Sequence, residues 1–174
     1  MNIENNLLYI SLQKYYSEKN KLNILLKYLR YEKISLRIID WFVTNYSKKH
    51  DTIYLIKDKQ FNVFHSYKSQ LKSYSKKYFD PFCRRNRINY KYRDNDSIST
   101  TIGQLNFFRW SIDTNLIEYI IDNYDIIEKD MNESIQIIRK KCVNNNTRKK
   151  RQELSLSASR GLNKHHGNIV ICFD

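Results

Sequence analysis

The stretch "TTIGQLNFFRWSIDTNLIEYI", Thr100–Ile120, predicts two consecutive helices separated by a polar break near residues 112–114. Ser99 or Thr100 is expected to cap the first helix, because a side-chain hydroxyl accepts a hydrogen bond from an N–H group of the first turn. Gln104 is available for a capping-box contact. The apolar residues of the first helix recur at helical spacing and predict one buried stripe: Leu105, Phe108 and Ile112.

Helical periodicity extends outward from this stretch in both directions. Residues 6–30 predict two short helices with a break near residues 19–20, and residues 34–49 predict a core helix. A further helix is expected over residues 67–78, and one or two more over residues 115–142. Helices are therefore expected to account for most of the chain.

A small antiparallel sheet is the other predicted element. Two short runs rich in β-branched and aromatic residues, "TIYLI" and "FNVFH", flank the polar "KDKQ" and predict a hairpin over residues 52–65. The ending "NIVICFD" is expected to add a strand over residues 168–173. With 3 Gly and 1 Pro, the chain lacks the turn residues that a sandwich or barrel needs. The predicted fold class is α+β, a single, mostly helical domain.

The predicted domain organisation has three parts. Residues 1–143 form the compact α+β domain, residues 144–164 form a basic flexible segment, and residues 165–174 form a terminal strand that docks on the domain. Large aromatic side chains are usually buried, so six of them are assigned to the core. These are Trp41, Phe42, Phe64, Phe107, Phe108 and Trp110.

The charge of the chain is large and clustered. Lys and Arg number 31 against 18 Asp and Glu, which gives a net charge of +13. Residues 57–93 hold 11 basic and 2 acidic side chains, residues 139–164 hold 9 and 1, and residues 111–133 hold 1 and 7. Codon bias in an AT-rich genome also enriches Lys and Tyr, but it gives no reason for blocks of opposite sign. The clustering favours a polyanionic partner, nucleic acid first and an anionic membrane second.

The basic residues between 57 and 93 have the spacing of a phosphate-binding surface. Lysines four residues apart on the helix over 67–78 share one face, where they repel one another unless a polyanion neutralises them. Tyr90 and Tyr92 alternate with cations, so an extended chain shows both rings on one face for stacking on bases. The alternative is a solvated surface with the tyrosines packed inward. The predicted surface comprises Lys68, Lys72, Lys76, Lys77, Arg84, Arg85, Arg87, Tyr90, Lys91, Tyr92 and Arg93.

A second basic cluster, Arg148, Lys149, Lys150 and Arg151, lies in the predicted flexible segment. It is expected to act as an arm that wraps nucleic acid, and a nuclear-localisation-type patch is the alternative.

Binding of nucleic acid is the function that these features predict. Double-stranded DNA is the expected form, bound through its phosphates with little sequence preference. A scaffold protein is the alternative, which self-assembles or docks on acidic partners through the opposed blocks 57–93 and 111–133. A metal-dependent nuclease is a third. The sequence has no Gly-rich phosphate loop, GxSxG or HExxH motif, so neither enzymatic activity nor a cofactor is expected.

The stretch Thr100–Ile120 also has the rhythm of a helix-turn-helix. A recognition helix presents base-reading and phosphate-binding groups. The second helix here presents Asp113, Glu118 and Asp122 instead. Because phosphate repels these carboxylates, a structural helical hairpin is the favoured interpretation.

Four side chains towards the C-terminus are of types that bind zinc: Cys142, His165, His166 and Cys172. The long gap between them and the absence of a C-x₂-C pair disfavour a metal site. Three widely spaced cysteines, together with an N-terminus that does not have the pattern of a signal peptide, predict an intracellular protein, in the cytoplasm or the nucleus.

The runs "YKSQLKSYSKKYFDPFCRR" (67–85), "TTIGQLNFFRWSI" (100–112) and "RKKRQELSLSASRGLNKH" (148–165) resemble uncharacterised small basic proteins of large nucleocytoplasmic DNA viruses with AT-rich genomes. The resemblance covers roughly residues 38–174. It implies a viral protein made in the host cytoplasm or a viral factory, or packaged in the virion, with genome compaction or expression as its role. It implies no catalytic residue.

Overall fold

The computed structural model describes residues 6–30, 34–84, 86–93 and 96–144. They form the mostly helical α+β fold that the sequence predicts, with two small antiparallel sheets. The helical elements are α1 (Leu7–Tyr16), α2 (Lys19–Arg30), α3 (Leu36–Trp41), a π-helical turn (Phe42–Tyr46), α4 (Ser47–Lys49), α5 (Val63–Tyr78), α6 (Ile102–Asp113), α7 (Leu116–Asp122) and α8 (Tyr124–Asn144). The strands are β1 (Ile53–Ile56), β2 (Lys59–Asn62), β3 (Ile88–Lys91) and β4 (Ser97–Thr100). Contacts between Cα atoms divide the chain into two units, Met1–Gln136 and Ile137–Asp174.

The helix α6 is buried on nearly all sides. Every residue from Gly103 to Phe108 is buried, and α1, α2, α5 and α7 pack around the helix. The predicted single apolar stripe therefore accounts for only part of the buried surface of α6, because other helices contact this helix on several sides. Thr101 caps α6 by accepting a hydrogen bond from the Gln104 backbone N–H at 3.0 Å. The predicted caps Ser99 and Thr100 are wrong because both residues belong to β4.

The first hairpin, β1–β2, confirms the strand pair predicted within residues 52–65. Lys57 and Asp58 form its two-residue turn, both with positive φ, which is the backbone of the turns that suit the twist of a hairpin. The chain leaves β2 earlier than predicted, because the Asn62 side chain accepts a hydrogen bond from the His65 N–H and starts α5. Phe64 and His65 are therefore helical.

The second hairpin, β3–β4, is an element that the sequence did not predict as a sheet. Within β3 the side chains alternate as expected for a strand, with Ile88 and Tyr90 buried and Lys91 exposed. The Tyr90 ring lies edge-on to the rings of Tyr9 and Tyr16 of α1, with centroids 6.4 Å apart in both pairs. Tyr90 is only 4% exposed, so the prediction that it stacks on bases is wrong: its ring belongs to the core.

A buried carboxylate attaches α8 to the segment that ends in α4. Asp130 is 8% exposed, and it accepts hydrogen bonds from the Trp41 indole N–H at 3.0 Å and from the Lys49 ammonium. Ile127 and Met131 of α8 are buried beside it. This contact joins residues that are more than eighty positions apart in the sequence.

The predicted aromatic core is confirmed for Phe42, Phe107, Phe108 and Trp110, which are buried. Trp41 and Phe64 differ, because both remain partly exposed. The residues beyond Asn144, which include the predicted flexible segment 144–164 and the predicted strand at 168–173 within 165–174, lie outside the described residues.

Candidate nucleic-acid interface

Two lysines on α5 form the centre of the candidate surface. Lys68 and Lys72 are exposed and stand four residues apart, so they project from the same face about 6 Å apart along the helix axis. Among the residues that the structure describes, neither ammonium lies within ion-pair distance of a carboxylate. These two charges are available to an external anion.

A kink near the end of α5 interrupts the lysine row. Ser75 has φ 56° and ψ 169°, far from helical values, and its hydroxyl accepts a hydrogen bond from the Lys77 N–H at 3.3 Å. Lys76 and Lys77 are exposed but follow this kink. The prediction that Lys76 continues the face of Lys72 on a regular helix is therefore wrong.

Past the kink, acidic groups partly neutralise the cations. Arg84 donates to the Asp80 carboxylate through Nε and Nη2, at 3.2 and 3.3 Å, and its guanidinium lies 4.3 Å from the centre of the Phe82 ring. Burial raises the pKa of the Asp40 carboxyl, Arg84 opposes that rise, the nearby Asp80 adds to it, and Lys76 lowers it. The charges at this end of α5 thus form a mixed cluster, whereas Lys68 and Lys72 form no ion pair within the described part of the chain.

The remaining predicted residues lie around β3 and β4. Arg87 and Lys91 are exposed, and Tyr92 is partly exposed. Arg93 is exposed and lies 3.9 Å from the Asp96 carboxylate. Arg85 and the cluster Arg148, Lys149, Lys150 and Arg151 lie outside the described residues.

Polar side chains of α6 hold the backbone where the chain leaves α5, at residues 78–81. The Gln104 amide donates to the Pro81 carbonyl at 2.9 Å, and its oxygen accepts from the Thr100 hydroxyl at 2.8 Å. Asn106 donates to the Tyr78 carbonyl at 2.9 Å. Buried polar groups usually find partners in this way, and the two amides fix where the chain leaves α5. The sequence assigned Gln104 only a capping role and gave Asn106 none.

Gly103 allows the close approach on which these bonds depend. A Cβ atom at this position would lie 3.0 Å from the Lys77 carbonyl oxygen and 3.3 Å from the Phe79 nitrogen. The Gly103 carbonyl accepts a hydrogen bond from the Asp80 N–H at 3.3 Å. The first turn of α6 therefore sits directly against the end of α5, and the loop that carries Arg84 starts from a fixed point.

Phe64 is a residue that the sequence assigned to the core and the structure places at the surface. Its ring is partly exposed in the first turn of α5. The Lys68 ammonium lies 5.5 Å from the ring centre, and the Lys48 ammonium of α4 lies 5.9 Å from it. The aromatic ring and the unpaired lysines are thus adjacent. The sequence feature that could have indicated this surface position is an aromatic residue in the first turn of a helix rich in lysine.

Most acidic side chains of the block 111–133 are exposed, and the buried Asp130 is an exception. Glu118 and Asp122 of α7 are exposed, which leaves that helix unsuited to a DNA groove. A shallow groove along α8 is lined by Asp125, Glu128, Lys129, Asn132, Glu133 and Gln136. Most charged side chains of the basic block 57–93 and the acidic block 111–133 that the structure describes therefore lie at the surface.

Metal and membrane features are absent from the described part of the chain. No three His, Cys, Asp or Glu side chains in it are grouped so that they could hold a metal ion. The candidate ligands Cys142, His165, His166 and Cys172 have no described side chains. None of the described helices combines the length and apolar character of a membrane span.

The fold and surface define a small, basic, mostly helical α+β protein. The chain belongs to a family of unknown function, DUF7197, whose model matches residues 2–173. It is 45% identical over 133 residues to an uncharacterised protein of Acanthamoeba polyphaga mimivirus, an alignment that covers 71% of this chain and 50% of that protein. The chain thus spans about half the length of this relative. The match confirms the resemblance to uncharacterised proteins of large DNA viruses. No solved structure matches the chain.

Proposed function

We propose that this protein binds nucleic acid, with duplex DNA as the expected form, through phosphate contacts of α5 and with little sequence preference. The observation that carries the proposal is the pair Lys68 and Lys72, which are exposed, share a helix face and have no carboxylate partner among the described residues. As a viral protein it would serve genome compaction or expression, in the host cytoplasm, a viral factory or the virion.

Phosphate contacts would relieve the repulsion between Lys68 and Lys72 and release counterions from the nucleic acid. Two ammonium groups four residues apart on a helix repel by a few tenths of a kcal/mol, and a phosphate backbone removes that repulsion. Lysines that neutralise phosphates also release condensed counterions, so affinity falls steeply as salt rises. The net charge of +13 adds long-range attraction to any polyanion.

A salt titration of binding to a fluorescent duplex tests the proposal. Lys68→Ala/Lys72→Ala is expected to make the log–log salt slope shallower by about 0.9 for each phosphate that the variant no longer neutralises. The matched control is Lys14→Ala/Lys19→Ala, which removes two exposed charges from α1 and α2 and should keep the slope close to wild type. Equal reductions of the slope in both variants would mean that net charge alone matters. No binding by wild type near physiological salt would refute the function.

Self-assembly as a scaffold is the second candidate, favoured by the exposed acidic groove of α8 opposite in charge to α5. Sedimentation without nucleic acid distinguishes it: salt-sensitive oligomers together with no affinity for the duplex support this candidate. The third candidate, a metal-dependent nuclease, requires cleavage of the same duplex that a chelator abolishes.

A further inference from the structure

We propose that Phe64 is a base-stacking site, and that α5 receives an unpaired base of a single strand there while Lys48 and Lys68 bind the neighbouring phosphates. The inference rests on the proposed function: phosphate contacts of α5 hold duplex DNA, and a single strand gains the additional contact of an unpaired base with the Phe64 ring. It goes further, since phosphate binding alone does not distinguish single strands from duplexes by their bases.

The position of the Phe64 ring carries the inference. The ring is partly exposed, and two exposed lysines from different helices, Lys48 and Lys68, lie 5.9 and 5.5 Å from its centre. The neighbouring ring, that of His65, is centred 6.0 Å away and is steeply inclined at 65°. Two flexible, charged side chains therefore lie near the ring. Such side chains can move aside for a ligand.

Two other aromatic rings near the basic surface, those of Tyr90 and Phe82, are not available in this way. Tyr90 is buried in the core. The Phe82 ring lies under the Arg84 guanidinium, which the Asp80 carboxylate holds in place. In the described part of the chain, Lys48 and Lys68 have no such carboxylate to restrain them. Phe64 thus combines an accessible ring with cations that are able to move.

On binding a single strand, the protein would replace lysine–ring contacts with stronger base–ring and lysine–phosphate contacts. An exposed lysine–ring contact is weak, whereas a base on an aromatic ring and a charge-assisted lysine–phosphate bond are both stronger. Each lysine therefore loses little when it turns from the ring to a phosphate. Bases inside a duplex are already stacked on one another, so the ring needs an unpaired base.

The test compares two strands that carry the same phosphates. One is a fluorescent oligothymidylate of about twelve nucleotides, within the site sizes typical of single-strand binding, and the other is an abasic deoxyribose-phosphate strand of equal length. Wild type is expected to bind the oligothymidylate about five-fold more tightly or better, the lower range of stacking on one ring. Phe64→Leu should reduce this ratio to about one, and Phe64→Tyr should keep it. Phe82→Leu, the matched control at a covered ring, should also keep it.

Each outcome separates the two proposals. Equal binding of both strands by wild type overturns stacking and leaves phosphate binding intact. A ratio that survives in Phe64→Leu also overturns it. Failure of both strands and of the duplex to bind refutes the proposed function itself. Because both strands meet the same folded fraction of a given variant, partial unfolding changes both affinities and leaves the ratio unchanged.

Discussion

Gln104 shows how one side chain joins separate parts of this protein. Its amide is 3% exposed and bonds to the hydroxyl of Thr100 at the end of β4 and to the carbonyl of Pro81 after α5. The sequence made Gln104 available for a capping-box contact. The side chain turns away from the cap because two buried polar groups of other segments need a partner, and leaving them unpaired is expensive.

Replacement of Gln104 should therefore be costly. Gln104→Leu keeps the size of the side chain but leaves the Thr100 hydroxyl and the Pro81 carbonyl without their partner, so we expect a loss of about 2–3 kcal/mol in the free energy of unfolding. Urea denaturation measures it. The control Gln136→Leu makes the same chemical change at an exposed position of α8 and should stay within about 0.5 kcal/mol. Equal effects at both positions would contradict the role of Gln104.

The burial of Phe64 and Tyr90 in the structure differs from the burial that the sequence predicted for each. The sequence placed Phe64 in the core and Tyr90 at the surface, whereas the structure leaves Phe64 partly exposed and buries Tyr90. Both are aromatic residues beside cations, so residue type and spacing do not separate them. The difference lies in what packs on each ring. A tyrosine of α1 packs on Tyr90, whereas the ammonium groups of two lysines lie near Phe64.

Among the elements, α5 departs most from the pattern that predicted it. Its first half is a regular helix that Asn62 caps, and its end bends at Ser75. Helical spacing of Lys68, Lys72 and Lys76 reads as one continuous face, because periodicity reports residue types and contains nothing about a local change of backbone angles. The contacts of α6 with the carbonyls of Lys77 and Tyr78 accompany the bend.

The bend makes a prediction about backbone strain. A positive φ at Ser75 is unfavourable for a residue with a Cβ atom and costs nothing comparable for glycine. Ser75→Gly is therefore expected to raise the free energy of unfolding by up to about 1 kcal/mol. Ser73→Gly, two residues earlier in the regular helix, should lower it by about 0.5 kcal/mol. Thermal and urea unfolding of both variants measure the signs, and the same sign in both would contradict the bend.

At the scale of the whole molecule, Asp130 joins α8 to the helices near residue 49. Burial by itself raises the pKa of the Asp130 carboxyl, but hydrogen bonds from Lys49 and Trp41 outweigh it and lower the pKa below the ordinary 3.8. A carboxyl whose pKa is lower in the folded chain binds its proton less readily there than in the unfolded chain. Its contribution to stability is therefore complete above about pH 4 and is lost as pH falls through the folded pKa.

Asp130→Asn tests this coupling. The variant keeps a polar group for Trp41 but lacks the charge that pairs with Lys49, so it should unfold at lower urea concentration than wild type at pH 7. The gap between the two midpoints should narrow as pH falls below about 4, because wild type then loses the same charge. A control variant, Asp125→Asn, changes an exposed carboxylate in the first turn of the same helix, where a carboxylate contributes at most about 1 kcal/mol, so its gap to wild type should be smaller than that of Asp130→Asn. A gap that stays constant with pH would show that the charge of Asp130 does not contribute.

Sequence patterns alone predict the helical class, the break between α6 and α7, the β1–β2 hairpin and the clustering of charge, and they place the break between α1 and α2 about two residues late. These features depend on neighbouring residues along the chain, through periodicity, turns and composition. Packing between distant segments sets which groups face solvent: Gln104 bridges two segments, Tyr90 belongs to the core, and Phe64 is partly exposed near two lysines. Exposure depends on which distant element packs over a side chain, and local pattern contains no record of that choice.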